Sequence, residues 1–123
     1  MKKLQLYQSR GKTSRSIWAE IANDGDLVLS CKDVGQAPRK LLSNYEFFVR
    51  VPVTSKDAVY QALVDTISID NPKAVEKLKS VKSQDDKLIE MISIMYRGKS
   101  DAVDDFQRFM QKKGIPTKFF SYS

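Results

Sequence analysis

The chain is 123 residues long, 41% hydrophobic and 29% charged, the usage of one globular domain, 1–123, that can bury a core without metals or disulfides. Its lone cysteine, Cys31, excludes an internal disulfide, and no apolar run approaches the roughly 20 residues that span a bilayer. The formal charge of +6 sits toward the front, with 9 Lys/Arg against 5 Asp/Glu up to Val53 and 12 against 10 beyond it, a balance that favours acidic partners.

Met1 to Gln8 opens with two lysines but no apolar stretch follows, so it does not read as a secretory signal; Leu4 and Leu6 suit a first strand. With the single cysteine, the expected setting is reducing and cytoplasmic. From Ser16 to Lys32 two alternating apolar runs flank Asn23-Asp24-Gly25. A three-residue loop with glycine in the left-handed position pairs Ile21 with Leu27, Ala19 with Leu29 and Ile17 with Cys31, all on one face. A two-residue loop would scatter the apolar set over both faces. Gly35-Gln36-Ala37-Pro38 reads as a loop leading into a short helical turn through Leu42. Tyr45 to Val53 alternates again, with Tyr45, Phe47, Val49, Val51 and Val53 on one face and Pro52 near the strand end.

The second half is helical by its spacing. Thr54 or Ser55 caps a segment carrying Ala58, Val59, Ala62, Leu63 and Ile67. Asn71-Pro72 opens a short helix with Val75 and Leu78. Ser83 starts a third, with Leu88, Ile89, Ile92, Met95 and Tyr96 inward and Gly98 as its stop. Ser100 starts a fourth, with Val103, Phe106, Phe109 and Met110 inward and Gly114 ending it. Aromatic residues in Thr117 to Tyr122 suit a closing strand. The expectation is an α+β fold: an antiparallel sheet from the N-terminal strands, the 16–32 hairpin, strand 45–53 and strand 117–122, packed against three to four helices.

The chemistry is limited by what is missing. The chain has no histidine, which removes the commonest general base and metal ligand, so no catalytic residue, metal or cofactor is assigned. Asp85-Asp86 and Asp104-Asp105 fall at helix starts, where negative charge complements the helix dipole. Gly11-Lys12-Thr13 looks like the tail of a phosphate-binding loop. The earlier glycine of that motif would stand at Leu6, and a strand rather than a helix should follow.

The candidate contact residues are therefore a surface set. Arg10, Lys12 and Arg15 make a basic loop without an acidic residue, and Arg39-Lys40 is a second basic spot. With Ile17, Ala19 and Ile21 facing the core, Trp18 points to the opposite side of the sheet, along with Val28, Lys32, Phe48 and Arg50. Such an indole on a half-apolar, half-basic face suits a contact surface; it equally suits a thin second core layer.

Ser16-Ile17-Trp18-Ala19-Glu20-Ile21, then Asp24-Gly25-Asp26-Leu27-Val28-Leu29-Ser30 and Asp33-Val34-Gly35, resembles a group of small uncharacterised bacterial proteins. So does the ending Phe106-Gln107-Arg108-Phe109-Met110 with Gly114-Ile115-Pro116 and an aromatic terminal strand. The likeness covers the hairpin and the last helix, is weak through 54–82, and implies a bacterial origin and a stand-alone domain. By analogy of class, such domains are similar to immunity proteins that block a toxin. The expected function is a non-enzymatic, protein-binding inhibitor of that kind, its partner a protein such as a toxin domain with an acidic face. The alternative is single-stranded nucleic-acid binding, with Trp18 and Phe48 stacking on bases while Arg15, Lys32 and Arg50 hold phosphates.

Overall fold

Five antiparallel strands run in sequence order across one sheet, and the helices are inserted before the last of them. The structure, a computed structural model, describes residues 3–11, 13–35 and 43–122. The strands are β1 (Lys3–Ser9), β2 (Thr13–Ile21), β3 (Leu27–Gly35), β4 (Ser43–Val51) and β5 (Lys118–Tyr122). The helices are α1 (Lys56–Asp70), α2 (Pro72–Leu78), α3 (Gln84–Tyr96) and α4 (Ala102–Lys112). This is the expected α+β fold, and the helical turn expected through Leu42 lies outside the described residues.

The hairpin forms in the register its apolar pattern requires: Ile21 opposite Leu27, Ala19 opposite Leu29, Ile17 opposite Cys31. Gly25 N–H donates to the Ala22 carbonyl at 2.9 Å and Ala22 N–H to the Asp26 carbonyl at 2.9 Å, closing the three-residue loop. Gly25 takes φ +92°, and a Cβ there would stand 3.1 Å from Val53 Cγ2. Gly25→Ala therefore meets both a left-handed backbone and a neighbour, and should cost about 1–2 kcal/mol in urea denaturation. A loss within about 0.3 kcal/mol would mean that the loop re-forms in another turn type.

One sheet face carries the core. Ile17, Ala19, Leu27, Leu29, Cys31, Val49 and Val51 are fully buried on it. A β-bulge between Gln5 and Tyr7 shifts the β1 register, so that Leu6 is buried and Tyr7 also packs against the core. α3 lies against β1 and β2, α4 against β3 and β4, and α1 and α2 pack on α3 and on each other. The buried stripes follow helical spacing: Val59, Leu63 and Ile67 on α1; Leu88, Ile89, Met91, Ile92 and Tyr96 on α3; Val103, Phe106 and Met110 on α4.

Helix ends follow their local chemistry. Ser83 Oγ accepts from Asp86 N–H at 3.3 Å at the start of α3. After α4, Ile115 N–H donates to the Met110 carbonyl and Gly114 N–H to the Gln111 carbonyl, with Gly114 at φ +70° and Ile115 buried. That pair of bonds is the Schellman arrangement.

Four sequence expectations need correction. The fourth strand ends at Val51, because Pro52 cannot donate to a ladder and the chain turns into a 3-10 turn over Val53–Ser55. Val53 is thus 48% exposed instead of joining the apolar face, and Tyr45 sits at its rim, 38% exposed. Ala58 is exposed, since Val59, Leu63 and Ile67 alone make the buried stripe of α1. The last helix takes Asp101, not Ser100, as its N-cap residue.

Candidate functional site

The four helices pack on the core side, so among the described residues no helix covers the other face of the sheet. Strand alternation determines what it presents. β2 contributes Ser16, Trp18 and Glu20; β3 contributes Val28, Ser30 and Lys32; β4 contributes Glu46, Phe48 and Arg50; β5 contributes Lys118, Phe120 and Tyr122. A hollow of about 390 Å³ is lined by Lys3, Trp18, Glu20, Lys32, Phe48 and Arg50, among others.

The register sets the rows. Trp18 stands opposite Ser30, Ser30 opposite Phe48, and Phe48 opposite Phe120. Phe48 stacks on Phe120 with ring centroids 5.0 Å apart and meets Tyr122 at 5.9 Å. Lys3 Nζ lies 5.0 Å from the centre of the Trp18 ring, a cation–π distance. Trp18 is partly buried within this face, and among the described residues no helix lies above it.

Charges interleave with the rings. Lys32 is exposed and stands opposite Glu46. Arg50 is already engaged: its Nη1 donates to Asp26 Oδ2 at 2.9 Å and to Asp24 Oδ2 at 3.0 Å. Asp26 Oδ1 also accepts from Val53 N–H at 2.8 Å. The Arg50 hydrogen bond, helped by the Val53 amide, holds the Asp26 carboxyl below its usual range against the opposing effect of burial. The same two carboxylates explain how Lys118 can face Arg50 directly across β5 and β4.

Of the residues singled out in the sequence, Trp18, Lys32, Phe48 and Arg50 share this face. Arg10 is exposed in the β1–β2 loop. Lys12, Arg39 and Lys40 lie outside the described residues. Arg15 points the other way and does not join the open face, which corrects its expected place beside Lys32 and Arg50. Its Nε and Nη2 donate to the two Asp33 carboxylate oxygens at 2.7 and 2.8 Å, and Nη1 donates to the Ser100 carbonyl at 2.7 Å. It ties β2 and β3 to the α3–α4 connection, beneath a polar hollow that also contains Tyr7, Ser9 and Tyr45.

Sequence reasoning missed Lys3, Lys118, Phe120 and Tyr122. The last three share a parity in an aromatic strand, which marks a common face; only the pairing with β4 shows which face. The acidic pairs stay at helix starts: Asp85 accepts from Lys56 Nζ at 2.8 Å, and Asp105 bridges Arg108 and Lys99 at 3.5 and 3.8 Å. A strand, β2, begins at Thr13, so the helix that a phosphate-binding loop needs does not follow. Burial pushes the Cys31 thiol up to about 12, which keeps it protonated at neutral pH as part of the core. Among the described residues no helix is long and apolar enough to cross a membrane. No protein-family model, curated protein or solved structure matches this chain.

Proposed function

We propose that this protein is a non-enzymatic inhibitor that works by binding another protein, in the manner of a cytoplasmic bacterial immunity protein toward its toxin, and that the open sheet face is its contact surface. The observation that carries this reading is the helix-free sheet face, with its hollow beside Trp18 and Phe48 and with Phe120 and Tyr122 next to them, set among charges. Protein interfaces concentrate binding energy in such aromatic anchors and draw specificity from the charges around them.

The charge pattern favours a protein over a nucleic acid. A phosphate-tracking groove needs a run of free cations. Here Glu20 and Glu46 interrupt the run and Arg50 is held by two carboxylates. Lys3, Lys32 and Lys118 remain to meet acidic groups on the partner.

The test is co-purification from nuclease-treated lysate of the native host, comparing the wild type with a Trp18→Ala variant of verified fold. One protein recovered at equal stoichiometry by the wild type, with affinity reduced about 30-fold by the substitution, is the expected result. Nucleic acid recovered without nuclease, released steeply by salt and weakened by Trp18→Ala, would replace this reading with the single-stranded nucleic-acid one.

A further inference from the structure

The two outermost strands of the sheet, β1 and β5, are built differently. β1 is broken by its bulge, and its Leu6 carbonyl accepts from Gly98 N–H at 2.8 Å in the α3–α4 connection. Bulged and occupied edges are how natural sheets resist further pairing. β5 has neither device. Its register with β4 is regular from Lys118 to Tyr122, and every one of its residues is exposed. Phe119 is 46% exposed, Phe120 38% and Tyr122 59%. Lys118 is its only charge.

We infer that the β5 edge is an association edge whose occupant is a second copy of this chain, paired antiparallel about Phe120. The strand is self-complementary in that register. Lys118 falls opposite Tyr122 of the second copy, a cation beside a ring, at both ends of the pair. Phe119 falls opposite Ser121 of the second copy, large against small, and the two Phe120 rings meet at the two-fold axis. An axis perpendicular to the sheet keeps the helices of both copies on one side. It joins the two open faces into one continuous surface.

Size sets the strength. A fully buried aromatic covers roughly 150–250 Å², so three half-exposed rings offer roughly 300 Å² per copy. The pair then buries roughly 600 Å², short of the roughly 1,200–2,000 Å² of a stable interface, and the dimer is a weak one. Each copy carries +6, so the repulsion between copies is screened by salt and pairing strengthens as salt rises. A cation-driven contact with an acidic partner responds in the opposite sense.

The experiment is sedimentation equilibrium of the full chain from about 5 µM to about 1 mM, at low salt and at about 0.5 M salt. The expected result is a concentration-dependent dimer, tighter at high salt. Phe120→Lys, which sets two ammonium groups face to face, should weaken it at least tenfold (roughly). Phe119→Lys, on the helix side of β5, should also weaken it while leaving the open face intact, and circular dichroism checks that both variants fold. Amide exchange at 119–122 should slow as concentration rises. A monomer at every concentration, a dimer indifferent to both folded variants, or a dimer weakened by salt would overturn the inference. So would a strand from another protein seated on β5 of a chain that stays monomeric alone. Loss of self-association in a chain that still captures its partner, or the reverse, separates this inference from the proposed function.

Discussion

Phe106→Ala should cost about 3–5 kcal/mol and lower the melting temperature by roughly 10–20 °C, the largest single loss of stability expected in the chain. Phe106 heads the fully buried side chains by volume, at 0% exposure in the middle of α4. Val103 and Met110 lie one turn to either side on the same buried stripe. Its ring meets Tyr96 of α3 edge-on, with centroids 5.9 Å apart and planes at 82°. The truncation removes a ring from the junction of α3, α4 and the sheet. Neighbours held by two helices and a hydrogen-bonded sheet can close little of the gap. A typical domain has about 5–15 kcal/mol in total, so the variant is near the edge of folding at body temperature. Phe106→Leu should recover more than half of the loss by restoring volume. Urea denaturation reads both. A loss under about 1 kcal/mol for Phe106→Ala would mean that α4 does not seal the core in the way its burial indicates.

Most of this architecture was legible because its signals are local or periodic. Gly25 and the alternation on either side of it admit one register that keeps Ile17, Ala19, Ile21, Leu27, Leu29 and Cys31 together, and that register forms. Ser83 and Gly114 mark real helix ends. Failures cluster where tertiary contact overrides pattern. Val53 continues the alternation of β4 by parity alone, but Pro52 releases the backbone and the residue turns outward. Ala58 fits a helical stripe by spacing, yet the helix presents Val59, Leu63 and Ile67 to the core and needs no wider face.

The candidate site divides along the same line. Trp18, Lys32, Phe48 and Arg50 follow from strand parity once the core face is fixed. Arg15 follows from it too: it has the parity of Ile17 and Ala19, so it belongs to the helix side. Its charge suits the basic loop, but its register sets it on the helix side, against Asp33 and the Ser100 carbonyl. Which strand neighbours β4 is a different matter. Residues 52–117 separate β4 from β5, and no periodicity in either strand encodes their pairing. Nor could composition show that Arg50 is held by Asp24 and Asp26, since that depends on the hairpin loop folding back beside β4.

Arg15→Ala should cost about 2–3 kcal/mol at neutral pH, between the small worth of an exposed ion pair and the larger loss from a buried one. The two side chains are 31% and 27% exposed, the contact is two-pronged, and the Ser100 carbonyl loses its donor as well. Loss of the guanidinium also has a pH signature. The Arg15 hydrogen bond holds the Asp33 carboxyl below its ordinary range, against the opposing effect of burial. A carboxyl depressed in the folded state contributes stability that is present above its unfolded value, about 3.9, and is lost as pH falls through the folded one. Asp26 behaves in the same way through Arg50, so the wild type carries two contributors to its acid limb. Removing Arg15 removes one of them. Urea stability measured from about pH 6 down to about pH 2 should therefore fall less steeply in Arg15→Ala than in the wild type. Arg15→Lys should recover only part of the neutral-pH loss, because an ammonium keeps the charge but not the fork. An unchanged acid limb together with a loss under about 0.5 kcal/mol would show a solvated ion pair instead of a tie between the sheet and the α3–α4 connection. The same variant separates charge from register in the candidate site. Arg15 faces away from the open surface, so any folded Arg15→Ala protein should bind its partner as the wild type does, whereas folded Trp18→Ala should not.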